Sequence, residues 1–120
     1  MILIIGGSHQ GKRDFVCEKY NITSERLHGS LVDEEGIYAV YDLQQIIRDN
    51  LDSDVKKTVM DYIESHPDVI IICNEIGNGL VPIDEKDRYY RDVTGEILIE
   101  IARRSAEVWR VICGTGQKIK

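Results

Sequence analysis

The sequence predicts a three-layer α/β domain on a mostly parallel sheet, and three observations carry that reading. Short β-branched runs alternate with longer stretches whose apolar residues recur at helical spacing. The first run, Ile2 to Ile5, stops at a glycine pair and passes through a glycine-lysine step into a helical pattern. The chain has 120 residues, 42% of them hydrophobic, enough for one core of ordinary size and too few for a second, so residues 1–120 are read as a single domain.

Taken in order, residues 2–6 read as a strand buried on both faces. Lys12 to Tyr20 reads as a helix with Phe15 and Val16 on one side and Asn21 as its stop. Residues 22–36 are polar and lack a sustained period; with the turn Asp33-Glu34-Glu35-Gly36 they are expected to form a mobile connection. Residues 37–41 read as a second strand candidate. Residues 42–65 place Leu43, Ile46, Ile47 and Leu51, then Val55, Val59, Tyr62 and Ile63, at helical spacing, which predicts two helices or one broken near Ser53. The turn His66-Pro67-Asp68 leads into Val69-Ile70-Ile71-Ile72-Cys73, the most strand-like run of the sequence. After a loop at Gly77 to Pro82, residues 84–106 read as a long amphipathic helix, and Val108 to Cys113 as the last strand. The strands at 2–6 and 69–73 are expected near the centre of the sheet.

Charge and cysteine usage narrow the function. Fifteen basic residues against 21 acidic ones give a net charge of -6, which disfavours a nucleic-acid partner. The opening apolar run is far short of the roughly 20 residues of a membrane span and has no basic flank of a signal peptide, so a cytoplasmic protein without a membrane partner is expected. Cys17, Cys73 and Cys113 are an odd number at wide spacing, unlike a zinc site or a disulfide framework. Cys73 and Cys113 end apolar runs and are expected to pack as small buried hydrophobes.

Gly6-Gly7-Ser8-His9-Gln10-Gly11-Lys12 fits G-x-x-x-x-G-K between a buried strand and a helix start, where such a loop wraps backbone N–H groups around phosphate. Residues Gly6 to Arg13 are therefore the predicted nucleotide site, with Lys12 reaching the terminal phosphates of GTP or ATP. The domain becomes P-loop NTPase-like on this reading; the alternative is a glycine-rich turn with an incidental lysine. Arg13 stands where the motif has a hydroxyl that ligates Mg2+. A guanidinium cannot ligate a cation, but it can donate paired hydrogen bonds to phosphate, and binding largely independent of magnesium is expected; the alternative is an Arg13 that points outward as an ordinary helix-surface residue. His9 faces phosphate or solvent, and His28 and His66 are expected at the surface.

Asp42 and Glu75 follow the strands at 37–41 and 69–73, so a parallel sheet brings both to the edge where Lys12 sits. They are the predicted catalytic carboxylates beside Lys12, and the predicted metal ligands. Asp42 has a second reading as the N-cap of the following helix. Arg88 and Arg91, one helical turn apart, are candidates for phosphate contacts or a charged face.

Asn74-Glu75-Ile76-Gly77-Asn78-Gly79-Leu80-Val81-Pro82, Tyr90-Arg91-Asp92-Val93-Thr94-Gly95 and Val108-Trp109-Arg110-Val111-Ile112-Cys113-Gly114 occur in that order. With Gly6-Gly7 and Gly11-Lys12 they make about two-thirds of the chain resemble the bifunctional adenosylcobinamide kinase/adenosylcobinamide-phosphate guanylyltransferase family of cobalamin biosynthesis, as a shortened member. The resemblance implies a trimer that binds a nucleoside triphosphate and phosphorylates a hydroxyl of a corrinoid precursor. The family's guanylyl transfer runs through a histidine in an H-x-x-x-R-P-type segment. Residues 20–37 lack that pattern and His28 is followed by Gly29-Ser30, so no residue takes that role. Gly77 and Gly79 are candidates for the wall of the nucleotide or acceptor site. A degenerate nucleotide-binding or oligomeric scaffold protein is the rival reading, and a small-molecule kinase with another acceptor is a third.

Overall fold

The apolar runs become the strands of one sheet in a computed structural model that describes residues 1–76 and 84–120. Ile2–Gly6 (β1), Leu27–His28 (β2), Ala39–Val40 (β3), Ile70–Asn74 (β4), Glu107–Ile112 (β5) and Thr115–Lys118 (β6) lie in the order β2-β3-β4-β1-β5-β6. All neighbours run parallel except β5 and β6. β1 sits between β4, with Ile2 beside Ile70 and Gly6 beside Asn74, and β5, with Ile2 beside Glu107. The strands at 2–6 and 70–74 are the central pair, as their continuous apolar character implies.

Helices occupy both faces. Lys12–Tyr20 (α1) follows β1, Leu43–Asp49 (α2) and Val55–Ser65 (α3) join β3 to β4, and Glu85–Arg104 (α4) precedes β5. Strand side chains alternate between two cores. Leu3, Val40, Ile71 and Val108 pack with Leu43, Ile47, Val59 and Ile97 of α2, α3 and α4. Ile4, Ala39, Ile70, Ile72 and Val111 pack on the other face with Val16 of α1. The predicted break near Ser53 is real: α2 stops before the turn at 50–54, and Asp54 caps α3 by accepting from the Lys57 backbone N–H at 3.3 Å.

The stretch at 22–36, expected as a mobile connection, is stitched to the fold. It supplies β2, whose Leu27 and His28 lie beside Ala39 and Val40. Arg26 donates to the Glu34 carboxylate at 2.8 Å and to the Ile37 carbonyl at 3.1 Å, and His28 pairs with the other oxygen of Glu34. The Tyr38 and Tyr62 hydroxyls both donate to the Val32 carbonyl, at 3.1 and 2.6 Å. His66 stacks on Tyr62 with centroids 4.2 Å apart and pairs with Asp33 at 3.1 Å. His28 and His66 are thus half-buried fasteners rather than plain surface residues. Cys73 is fully buried, as expected, and burial pushes its thiol up to about 12. Cys113 is exposed, against expectation, because it turns the β5–β6 hairpin instead of ending a core strand. Among the described residues no helix is long and apolar enough to cross a membrane.

Candidate functional site

β1 ends at Gly6 and α1 begins at Lys12, so the glycine loop hangs from the carboxyl edge of the central strand. The chain reverses through left-handed backbone at His9 (φ 58°) and Gly11 (φ 84°). Gly6 could not be larger: a Cβ there would stand 2.6 Å from the Val111 carbonyl oxygen of β5. Gln10 ties the loop to the β5–β6 turn at two points. Its side-chain Oε1 accepts from the Cys113 N–H at 2.7 Å, and its carbonyl accepts from the Gly114 N–H at 2.8 Å. Cys113 (φ 49°) and Gly114 (φ 75°) form the two-residue turn that the twist of a hairpin favours.

Lys12 is buried and its ammonium donates to the Gly7 carbonyl at 2.6 Å. Burial holds its pKa below the ordinary 10.5, opposed chiefly by the Asp42 carboxylate, and the neighbouring Arg13 guanidinium adds to the depression. A cleft of about 580 Å³ opens over this loop. Its walls are residues 8–13, then Tyr41, Asp42, Gln44 and Asn74 along the carboxyl edge of the sheet, with Asp14, Cys17, Ser24 and Leu27 extending it beside α1. His9 lines the cleft and is exposed.

The sheet brings both predicted carboxylates to this edge, in different settings. Asp42 takes a left-handed backbone (φ 53°) and makes no side-chain cap for α2, so the capping alternative does not describe it. Its Oδ1 accepts instead from Gln44 Nε2 at 3.2 Å, while Gln44 Oε1 accepts from the Asn74 N–H at 2.9 Å. The backbone donor fixes which way the Gln44 amide faces, and so presents its NH₂ to Asp42. Glu75 sits at the root of the loop through its N–H, which donates to the Gly6 carbonyl at 2.8 Å. Its carboxylate is engaged by Arg110: Nη2 donates to Oε2 at 3.2 Å, and Nε lies 3.0 Å from Oε1 without the alignment of a hydrogen bond. Arg13 is exposed at the mouth of the cleft, its guanidinium carbon 4.3 Å from the centre of the Tyr41 ring.

A magnesium ion in loops of this kind is held by a hydroxyl after the lysine and by a neighbouring carboxylate. Here the hydroxyl is replaced by Arg13, Asp42 shares one oxygen with Gln44, and Glu75 is matched to Arg110. Among the described residues no cluster of three or more His, Cys, Asp or Glu side chains could hold a metal ion. The set fits a directly ligated magnesium poorly.

Tyr41, Gln44 and Arg110 went unmarked in the sequence because each acts through a partner that only the sheet brings near. Arg91, a phosphate candidate, lines a separate cleft with Ile76, Asp92 and Gly95. Gly77 and Gly79, proposed as a site wall, lie outside the described residues.

A parallel sheet whose central strand runs through a glycine-lysine loop into a helix defines a P-loop NTPase-like domain. Comparison with known proteins is more specific. The family model described as cobinamide kinase / cobinamide phosphate guanyltransferase (CobU) matches residues 16–119, and the chain belongs to that family. The glycine-lysine loop lies ahead of the matched stretch. The proteins named bifunctional adenosylcobalamin biosynthesis protein CobU from Escherichia coli (strain K12) and Salmonella typhimurium (strain LT2) are each 40% identical over 52 residues, 43% of this chain. That stretch is 29% of the length of each relative.

Proposed function

We propose that this protein binds a nucleoside triphosphate, GTP or ATP, in the cleft over residues 6–13 and directs its terminal phosphate toward a hydroxyl of a corrinoid precursor. The observation that supports this reading is Lys12: a buried ammonium whose hydrogen bond is to a carbonyl of its own loop, facing a cleft of phosphate-binding form. When a triphosphate enters, the ammonium exchanges the Gly7 carbonyl for phosphate oxygens, and the loop N–H groups supply the rest of the cradle. Asp42, steadied by Gln44, is the carboxylate best placed to orient an acceptor hydroxyl, while Glu75 with Arg110 braces the root of the loop. Transfer then depends on positioning and charge rather than on covalent chemistry by the protein.

Guanylyl transfer is absent from this reading, since His28 is committed to Glu34 and stands in no family-like context. A trimer is carried over from the family resemblance, and the cytoplasm from the short apolar opening run and the cysteine usage. The poor fit to magnesium favours a second reading, a nucleotide-binding family member that has lost phosphoryl transfer. Calorimetric titration with GTP and ATP tests the shared core of both. Lys12→Ala should weaken triphosphate affinity at least about tenfold, roughly 1.4 kcal/mol, by removing a charge-assisted contact. Unchanged affinity would reduce the loop to a turn.

A further inference from the structure

The mismatch between this cleft and a magnesium site has a counterpart in the cations that are present. Arg13 directly follows Lys12 at the start of α1, and both line the same cleft. The Arg13 guanidinium rests on the Tyr41 face, and among the described residues it makes no hydrogen bond or ion pair, so its N–H edge is uncommitted. A planar cation held by stacking keeps its in-plane donors available, and a guanidinium matches two oxygens of a phosphate at once. Asp14 and Asp42 are the acidic groups in the same walls. Asp42 has one oxygen on Gln44, and Asp14 lies in the first turn of α1. The Arg13 guanidinium lowers the pKa of Lys12, and an anion between the two cations would offset that repulsion.

We propose that Arg13, parked on Tyr41, binds the polyphosphate of the nucleotide as a fixed cation and takes the place of magnesium. Tyr41 is its positioning residue. The inference rests on the reading that the cleft binds a nucleoside triphosphate. It assigns the ligand as the metal-free polyanion, whereas P-loop sites with a hydroxyl after the lysine take the metal complex.

Titration calorimetry of non-hydrolysable GTP and ATP analogues, in EDTA and in magnesium, decides the matter without reference to turnover. The native protein should bind about equally in both, within roughly twofold, since the metal brings no ligand the cleft needs. Arg13→Ser, which restores the usual hydroxyl, should lose at least about tenfold in EDTA and regain most of it with magnesium. Tyr41→Leu should shift the ratio in the same direction and Tyr41→Phe should leave it native, which separates a stacking platform from simple bulk. Native binding that needs magnesium as strongly as the serine variant does would overturn the proposal, as would Arg13→Ser that binds like the native protein in EDTA. A natively folded protein that binds no nucleotide in either condition would instead overturn the underlying reading of the cleft, and this one with it.

Discussion

Lys12 owes its chemistry to where the chain puts it. The ordinary lysine pKa of 10.5 is lowered mainly by burial, and the Asp42 charge offsets part of that loss. The sign of the consequence follows. Below its folded pKa the side chain is an ammonium that attracts phosphate; as pH rises through that depressed value the cation is lost. Triphosphate affinity should therefore stay level from about pH 8 upward and start to fall before pH 10.5, because by then the nucleotide's own phosphates are fully ionised. Lys12→Met should bind weakly and show no such fall, and the comparison is a pH series of binding isotherms. A native profile as flat as that of the variant would show that the ammonium does not meet phosphate. The glycine-lysine spacing made this residue legible in the sequence. Gln10 and Gln44 were not legible in the same sense: amides carry no periodic signal, and each gains its meaning from a backbone N–H on another element.

Legibility among the elements follows burial. β1 and β4 are continuous aliphatic runs because both faces of a central parallel strand are covered, and β5 keeps Val108 and Val111 for the two cores. β2 is only Leu27 and His28, too short for any period, and it exists because Ala39 and Val40 offer it a ladder. β6 reads Thr115-Gly116-Gln117-Lys118, a polar edge without strand propensity; the paired positive φ values of Cys113 and Gly114 fold it back on β5. The division of the 42–65 region was legible because the apolar spacing lapses at Asp52 and Ser53. At that division Asp54 caps α3, so Asp54→Ala should cost about 1 kcal/mol of stability, read from the urea midpoint at constant slope. No change would mean that the Lys57 N–H finds water equally well.

Across the whole molecule the two faces of the sheet are unequally dressed. Among the described residues α2, α3 and α4 pack on the face of Leu3, Val40 and Ile71, while the nine-residue α1 packs on that of Ile4 and Ile72. Ile71→Ala should open a cavity that packed helices cannot collapse and destabilise the protein by about 2–5 kcal/mol. Ile72→Ala, beside the cleft, should fall at the lower end of that range, since its surroundings have more freedom to close; equal losses in chemical denaturation would contradict this picture. The clamp on Gln10 reaches just as far across the molecule, and it bears on how the protein comes into being. Gln10 and Cys113 are 103 positions apart in the chain, so a ribosome makes the phosphate loop long before it makes the turn that holds the loop in shape. β1 must likewise wait for β4 and then β5 before it has neighbours on both sides. Until residue 114 has emerged, a nascent chain carries the binding motif without the binding shape. On the proposed reading of the cleft, capture of nucleotide would then report that synthesis has passed that point.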